Sequence, residues 1–262
     1  MHSTLQGILR QIHAPVIAVS GGVDSLTLAA FASEIYSAVA TIHAISPAVP
    51  AEATARVESM AARLGWSLTL VRAGEFDDPH YLANPVNRCF HCKTNLYAAI
   101  RARSDCQILS GANTDDLGEY RPGLDAARKF GVRHPYVEAG INKVQVRQIA
   151  RDLGLSRVSA LPSSPCLSSR VETGIPIDPD MLGFIHYVER MVSDRLILNT
   201  IRCRVRASAV VIEIDSGSLK LVAEAERQAL TNLVHAASHC PAGLPVRFEA
   251  YRNGSAFLVP GA

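Results

Sequence analysis

The first half of the chain alternates short apolar runs with longer stretches of helical periodicity. Apolar runs at Pro15 to Val19, Val39 to Ile45, Leu68 to Val71 and Gln107 to Ser110 predict buried strands. Helical spacing is predicted for Leu26 to Tyr36, Glu52 to Leu64, Arg88 to Arg103 and Lys143 to Leu153. Strands that alternate with helices predict an α/β fold, with a parallel sheet covered by helices on both faces. Ligands of such folds bind at the carboxyl ends of the strands.

The pattern changes after about Ile177. The predicted elements there are a helix at Met181 to Arg190, strands at Ile201 to Arg206 and Val210 to Ile214, a helix at Leu219 to Ala237, and a strand pair at Val246 to Tyr251 and Ser255 to Val259. Before the change, the proline-rich stretch from Ser159 predicts a loop that ends at Cys166. We therefore predict a large domain over residues 1–177 and a smaller α+β domain over residues 178–262. The smaller domain is expected to bind substrate or to form oligomer contacts.

Composition narrows the class of protein. The chain has 262 residues, of which 48% are hydrophobic and 19% are charged, and its formal net charge is +2. The near-neutral total argues against a nucleic-acid partner. No apolar run approaches the roughly 20 residues of a spanning helix, and the N-terminus lacks the basic and apolar parts of a signal peptide. A cytoplasmic protein without a membrane partner is the expectation.

The first strand leads directly into a glycine-rich turn and a helix. The turn reads Ser20-Gly21-Gly22-Val23-Asp24-Ser25. Two glycines let a phosphate approach the main chain, and the start of the helix offers unpaired N–H groups to an anion. Ser20 and Ser25 can add hydroxyl donors, and Asp24 is placed to hold Mg²⁺ against the phosphates. A tight turn capped by Asp24 or Ser25 is the alternative, but this spacing favours phosphate binding.

Three of the six cysteines lie among residues that suit metal chemistry. Cys89 and Cys92 are one helical turn apart and are flanked by Arg88 and Lys93, whose charge favours thiolates. Cys166 follows the predicted loop. Three thiolates fit a [4Fe–4S] cluster with one open iron, or a zinc site with a fourth ligand. A buried apolar pair is the alternative for Cys89 and Cys92, whereas the other cysteines lie in apolar segments.

Several blocks resemble the LarE family of ATP-dependent sulfur transferases, which belongs to the PP-loop ATP pyrophosphatases. The resemblance rests on Ser20 to Ser25, Arg88 to Lys93, Gly111 to Gly123 (Gly-Ala-Asn-Thr-Asp-Asp-Leu-Gly-Glu-Tyr-Arg-Pro-Gly), Lys143 to Arg147, and Pro165 to Arg170 (Pro-Cys-Leu-Ser-Ser-Arg). It covers roughly the first two-thirds of the chain. It implies a PP-loop domain, ATP and Mg²⁺ as cofactors, and a homo-oligomer. The expected substrate is a small nucleotide.

The resemblance also implies a reaction. Family members adenylate a carboxylate of a pyridinium dicarboxylate mononucleotide and convert it to a thiocarboxylate, which feeds a nickel-pincer nucleotide cofactor. One version sacrifices the sulfur of a single cysteine, which would be Cys166 here. Another carries a [4Fe–4S] cluster on three cysteines, and Cys89, Cys92 and Cys166 resemble that set. A sulfide or another sulfur donor is then an expected partner.

Roles for the charged residues follow from the same resemblance. Asp24 and one of Asp115 or Asp116 would hold Mg²⁺, and Lys143 would neutralise the departing pyrophosphate. The alternatives are that Asp115 and Asp116 simply cap a helix and that Lys143 is a solvated surface charge. Three arginines complete the expected site. Arg170 would either bind a substrate phosphate or pair with an acid. Arg202 and Arg204 would either bind a phosphate of the acceptor or lie at a subunit interface.

Two stretches depart from the family at positions where substrate is expected. After Arg170 the chain continues Val171-Glu172-Thr173-Gly174-Ile175, and after Arg204 it continues Val205-Arg206-Ala207-Ser208. Other functions are compatible with the same blocks. They are a tRNA-thiolating PP-loop enzyme, an ammonia-using amidotransferase-type ligase with structural zinc, and a nucleotide-binding regulatory module without catalysis.

Overall fold

The computed structural model describes residues 1–118, 120–198 and 200–257. Its helices are α1 (His2–Arg10), α2 (Val23–Ala32), α3 (Ala51–Leu64), α4 (Pro79–Leu82), α5 (Arg88–Arg101), α6 (Pro122–Lys129), α7 (Pro135–Glu138), α8 (Lys143–Asp152), α9 (Ser156–Ser159), α10 (Pro179–Arg195), α11 (Ser216–Leu219) and α12 (Glu224–Ala236). Its strands are β1 (Val16–Ala18), β2 (Ala40–Ala44), β3 (Ser67–Val71), β4 (Ile108–Leu109), β5 (Ile201–Arg206), β6 (Ala209–Ile214) and β7 (Val246–Ala250). Short 3₁₀ turns cover Glu75–Asp77, Thr114–Gly118 and Leu167–Arg170. In these described parts, every helix is too short or too polar to cross a membrane.

Contacts divide the chain into two compact units. The first unit comprises Met1–Asp78 and Asn87–Ser164, and the second comprises Pro79–Val86 and Pro165–Ala262. The predicted boundary between residues 177 and 178 stays a prediction. So does the role of the smaller domain in substrate binding or oligomerisation.

The first unit is built on a parallel sheet. Its strand order is β3-β2-β1-β4, and every described pairing is parallel, with Ala18 aligned with Ile42 and Ile17 with Leu109. Ile17 packs in a core with α1, α2 and α8, whereas Val16 packs in a second core with α5 and α6. Both faces of the sheet are therefore covered at β1, which explains why this central strand reads as a continuous apolar run, whereas the edge strand β3 is largely exposed. The predicted α/β fold is confirmed.

Two helices of this unit begin or end at residues with a clear local cause. Gly65 ends α3 in the left-handed conformation, with φ at 69°. Asn142 caps α8, because its side chain accepts from the Gln145 N–H at 2.9 Å while the Gln145 side chain accepts from the Asn142 N–H at 2.9 Å. This reciprocal cap fixes Lys143 as the first residue of α8.

The second unit contains a mixed sheet of order β5-β6-β7. β5 and β6 are antiparallel, with Arg204 aligned with Val211, and β7 lies parallel to β6, with Phe248 aligned with Ile212. Helix α10 begins at Pro179, and the Asp178 side chain accepts from the Met181 N–H at 2.9 Å. An α+β second unit is thus present, as predicted.

Two predicted elements of this unit are wrong. The helix expected over Leu219 to Ala237 is interrupted, because Val222 is buried and Ala223 is extended with ψ at 152°, so α12 begins only at Glu224. The strand expected from Ser255 begins as a turn, in which the Ser255 hydroxyl donates to buried Glu213 at 2.5 Å. Its predicted end, Val259, lies outside the described residues.

Candidate functional site

The chain passes from β1 into α2 through a turn that only glycine fits. Gly21 has φ at 80°, and a Cβ on it would lie 2.6 Å from the carbonyl oxygen of Ala53. From α3, the Arg56 guanidinium donates to the Gly21 carbonyl oxygen at 2.6 Å. The turn is therefore pressed against α3 and held there by an arginine.

The two serines of the turn bind each other. The Ser20 N–H donates to Ser25 Oγ at 3.0 Å, and the two hydroxyl oxygens lie 3.2 Å apart. The N-cap residue of α2 is Gly22, so no side chain caps the first N–H groups of the helix. Uncapped N–H groups and the positive end of the helix dipole can bind a phosphate at this position.

Two segments bring side chains to the carboxylate of Asp24, which lies in the first turn of α2. The Lys143 ammonium, from the start of α8, donates to Asp24 Oδ2. The Asn113 amide donates to Asp24 Oδ1 at 3.3 Å. Side chains of Asp24 and Lys143 are 25% and 31% exposed, so the pair is reachable from solvent. A carboxylate and an ammonium beside this glycine turn are groups that can hold Mg²⁺ and a phosphate group, respectively.

The adjacent carboxylates Asp115 and Asp116 differ in their contacts. Asp116 accepts from the Asn113 N–H at 3.0 Å and from the Arg121 guanidinium at 3.0 Å, so each of its oxygens has a partner in the loop. Asp115 accepts from the Lys143 N–H at 3.2 Å. Asp115 therefore faces the start of α8, where Lys143 meets Asp24.

Gly111 lets the loop after β4 pack closely against the glycine turn between β1 and α2. A Cβ on Gly111 would lie 2.8 Å from the Ser25 nitrogen and 2.9 Å from the Asp24 carbonyl carbon. Nearby, the Tyr136 hydroxyl donates to the Asp24 carbonyl oxygen at 3.3 Å. Burial raises the pKa of Tyr136 well above its ordinary value, and the Asp24 charge adds to this shift. The phenol therefore stays neutral and acts as a donor.

Sequence reasoning gave no role to several of these residues. His43 ties the end of β1 to α3, since its Nδ1 lies 2.8 Å from the Val19 carbonyl oxygen and its Nε2 lies 2.9 Å from Thr54 Oγ1. Burial lowers the pKa of His43. Asn113 lies in the Gly111 to Gly123 block that resembles the family, so a role for it could have been predicted. Arg56 carried no signal, because it lies on a helix with no motif around it.

A cavity opens at the carboxyl ends of β2 and β3. It has a volume of about 490 Å³ and is lined by Ile45, Ser46, Pro47, Arg72, Ala73, Gly74, Glu75, Phe76 and Asp77. β2 is the direct neighbour of β1 in the sheet, and β1 leads into the glycine turn before α2. The cavity and the turn thus lie at the same edge of the sheet, where ligands of such folds bind.

Cys89 and Cys92 lie on α5 in the first unit. Both residues are partly exposed, and neither is part of a disulfide. Around them, the Lys129 ammonium lies 4.5 Å above the Phe90 ring, and a Cβ on Gly123 would lie 3.1 Å from Lys93 Cγ. Within the described ranges, no group of three or more His, Cys, Asp or Glu side chains is arranged to hold a metal ion.

Cys166 lies in the second unit, at the start of the 3₁₀ turn Leu167–Arg170. The Arg170 guanidinium, which is buried, donates to the carbonyl oxygens of Pro165 and Cys166 at 2.5 and 3.0 Å. Its other side binds Glu189 of α10 at 2.9 and 3.1 Å. Of the two alternatives for Arg170, the structure therefore has the pair with an acid. A contact with substrate phosphate stays a prediction.

Arg202 and Arg204 lie on β5 and differ in their surroundings. Arg204 is 3% exposed, and it donates to Glu213 at 2.9 Å and to the Ser169 carbonyl oxygen at 3.0 Å. Arg202 is partly exposed and lies 5.7 Å from the centre of the Tyr251 ring. Burial lowers the pKa of Arg202, as does the positive charge of Arg170. Their predicted role in binding a phosphate stays a prediction.

Comparison with known proteins gives relatives along most of the chain. No protein-family model matches it. It is 36% identical over 216 residues to the uncharacterised protein slr1717 of Synechocystis, with 80% of each chain covered. It is 27% identical over 215 residues to the uncharacterised protein MJ0830 of Methanocaldococcus jannaschii, covering 80% of this chain and 81% of that protein.

A further relative carries a functional name. The chain is 26% identical over 218 residues to pyridinium-3,5-bisthiocarboxylic acid mononucleotide synthase of Lactiplantibacillus plantarum, covering 81% of this chain and 78% of that protein. The identity of 36% and the coverage of 80% of each chain show a common family with the Synechocystis protein. The chain belongs to the family of slr1717.

Proposed function

We propose that this chain is an ATP-dependent sulfur transferase. It adenylates a carboxylate of a pyridinium mononucleotide and converts it to a thiocarboxylate, in the biosynthesis of the nickel-pincer nucleotide cofactor. One observation carries the proposal: Asp24 and Lys143 meet directly beside the glycine turn that leads into α2. The name of the Lactiplantibacillus relative supports the substrate class.

The ion pair of Asp24 and Lys143 suits a site that exchanges partners when nucleotide binds. Without ligand, each charge neutralises the other. When Mg²⁺–ATP binds, Asp24 is released to the metal and Lys143 to the phosphates. Asp115 is better placed than Asp116 to be the second carboxylate, because both oxygens of Asp116 are already bound within its loop. The nucleoside would lie in the cavity beyond β2 and β3.

The first chemical step follows from these positions. A carboxylate oxygen of the acceptor attacks the α-phosphorus of ATP, the bond from that phosphorus to the bridging oxygen breaks, and pyrophosphate leaves with Mg²⁺. Lys143 and the N–H groups of α2 would stabilise the charge that develops on the phosphates. The product is an acyl-adenylate, whose carbonyl carbon is now open to attack because AMP is a good leaving group.

The second step forms the carbon–sulfur bond. A sulfur nucleophile attacks the carbonyl carbon, the bond to the AMP oxygen breaks, and a thiocarboxylate results. The partly exposed thiols of Cys89 and Cys92, one turn apart on α5, fit two ligands of a [4Fe–4S] cluster, and Cys166 would be the third. Such a cluster, when bound, supplies an open iron to which sulfide can bind. Arg170 holds the backbone of Cys166 by its carbonyl oxygen.

Release of pyrophosphate tests the adenylation. Lys143→Met should lower the rate of acceptor-dependent pyrophosphate release by roughly 100-fold, as does loss of other preorganised charge partners. Asp24→Asn should act in the same direction. Lys220→Met, which changes an exposed lysine of the second unit, is the control and should leave the rate unchanged. An unchanged rate in Lys143→Met would contradict the proposed site.

Iron and acid-labile sulfide, measured after anaerobic purification, test the cluster separately. Ser variants of Cys89, Cys92 and Cys166 should each lose iron, whereas Ser variants of Cys106, Cys203 and Cys240 should keep it. Protein that contains zinc, or no metal, would contradict the cluster. If Cys166 instead lost its sulfur during turnover, the peptide that contains it would lose the mass of H₂S, because its cysteine would become dehydroalanine.

A further inference from the structure

Glu75 is a buried carboxylate in the first unit. It begins the 3₁₀ turn that follows β3, and it is 5% exposed. In the described ranges, no hydrogen bond or ion pair joins its carboxylate to another residue. Glu213, which is buried to a similar degree, accepts instead from two arginines and a serine. The carboxylate of Glu75 therefore lacks a donor among the described residues.

An unpartnered buried carboxylate is a cost to the folded state, because its charge leaves water without gaining a donor. Groups that destabilise the fold in this way persist mainly where function needs them. Glu75 lines the cavity of about 490 Å³ at the carboxyl ends of β2 and β3. Arg72 lines it too, but it is exposed, and among the described residues no ion pair joins it to Glu75. A donor for Glu75 can therefore come from a molecule that binds in the cavity.

The chemistry of a carboxylate determines which groups it can bind. An ionised carboxylate has two oxygens that accept hydrogen bonds and no group that donates one. It therefore matches a pair of neighbouring donors and repels a lone pair. The 2′- and 3′-hydroxyls of a ribose are such a pair, since they lie on adjacent carbons. Adenine matches less well, because its 6-amino donor is flanked by ring nitrogens that accept.

The position of the cavity suits the nucleoside of a nucleotide. β1 leads into the glycine turn, β2 pairs with β1, and β3 pairs with β2. Since paired strands lie about 5 Å apart, the end of β3 is roughly 10 Å from the end of β1, a distance that a nucleotide spans. Ile45, Pro47 and Phe76 add apolar surface to the lining, against which a base can pack. Glu75 supplies the polar group that a ribose needs.

We propose that Glu75 binds the 2′- and 3′-hydroxyls of the ribose of ATP. Each hydroxyl donates to one carboxylate oxygen, so the contact favours ribonucleotides over deoxyribonucleotides. No bond forms or breaks at Glu75, which determines specificity and takes no part in the transfer. The inference rests on the proposed function, because adenylation makes ATP the nucleotide that binds beside the glycine turn.

Isothermal titration of the intact chain with Mg²⁺–ATP and with Mg²⁺–2′-deoxy-ATP tests the contact. Because hydrogen bonds to a charged group are strong, the wild-type Kd should be roughly 10- to 100-fold higher for the deoxynucleotide. Glu75→Gln keeps the size of the side chain, but its amide offers one acceptor and one donor group. It should raise the Kd for ATP by a similar factor and make the two Kd values similar to each other. Asp77→Asn makes the same change of charge at an exposed position of the same lining. It is the matched control and should keep both wild-type Kd values.

Stability without nucleotide separates binding from a structural role. Glu75→Gln should be at least as stable in urea as the wild type, because a neutral amide is easier to bury than a charge. A large loss of stability, an equal wild-type Kd for ATP and 2′-deoxy-ATP, or unchanged discrimination in Glu75→Gln would each overturn the proposal and leave the adenylation standing. So would a lower Kd for GTP than for ATP, which would mean that the carboxylate binds the adjacent donors of guanine. A wild type that binds no Mg²⁺–ATP would refute the adenylation and this contact together.

Discussion

The contact of Gly111 with the glycine turn between β1 and α2 gives a sharp test of the site. Gly111→Ala adds one methyl group at a place where main-chain atoms stand on the other side. Its Cβ would lie 2.8 Å from the Ser25 nitrogen, whereas an ordinary contact is 3.4 Å or more. The loop and the turn must therefore separate by about 0.6 Å, and no flexible side chain can absorb the movement.

The cost of that movement follows from overpacking in other proteins. Inserting a methyl group into a filled space costs roughly 1–3 kcal/mol. The penalty divides between the free energy of unfolding and the free energy of binding Mg²⁺–ATP. If all of it fell on binding, the Kd would rise by roughly 5- to 150-fold, because 1.4 kcal/mol is a factor of ten. Gly7→Ala is the control, since nothing lies within 4 Å of its added Cβ. In the middle of α1 that alanine should stabilise the fold by about 0.5–1 kcal/mol.

Isothermal titration with Mg²⁺–ATP and urea denaturation would together measure both parts of the penalty. In Gly111→Ala, the loss of binding free energy and the loss of unfolding free energy should add up to at least about 1 kcal/mol. If the variant kept the wild-type Kd and the wild-type unfolding free energy, the close approach of Gly111 to Ser25 would be refuted. A loss of stability with unchanged Kd would support the close packing and would place the whole penalty on the free energy of unfolding.

Two further predictions concern titration and buried charge. Because burial depresses the pKa of His43, the unfolded chain binds a proton more readily there, so this contribution to stability is full above the ordinary pKa of about 6.5 and is lost as the pH falls. Urea denaturation at pH 7.5 and 5.5 should therefore show a smaller pH dependence in His43→Gln than in the wild type or in His13→Gln, and equal dependence would contradict the assignment. Glu213 is fully buried between Arg204 and Arg206, so Glu213→Gln should lower the unfolding free energy by roughly 3–5 kcal/mol. Glu226→Gln breaks an exposed pair with Arg195 and should cost less than about 1 kcal/mol; similar losses in both variants would refute the difference.

Much of the parallel-sheet unit was predictable because its signals are local. The central strand β1 is apolar throughout, and α3 ends at Gly65, which the sequence displays. Helix α6 was not predicted, since Pro122 and Gly123 resemble a break in structure. Proline is in fact well suited to the first position of a helix, where its missing N–H is not needed. Proline thus occurs both after the end of a helix and at the first position of a helix, and the residues that follow it determine which of the two applies.

The contacts of the candidate site were less predictable because they join distant residues. The positions of Asp24 and Lys143 could be proposed from motifs, but their ion pair spans 119 positions of the chain. Arg56, which holds Gly21, and Glu189, which holds Arg170, have no motif of their own. The interruption before α12 also depends on the core, because burial of Val222 overrides a helical pattern that runs through it.

The hold of Arg170 on its loop has a consequence for how this segment can vary among relatives. Its guanidinium binds the carbonyl oxygens of Pro165 and Cys166, and every amino acid carries such an oxygen. Substitutions at exposed positions 162 to 165 therefore leave the hydrogen bonds from Arg170 unchanged. Loss of Arg170 or Glu189 would release the segment whatever its side chains are. Divergence should accordingly be tolerated in the loop and rare at the two charged residues behind it.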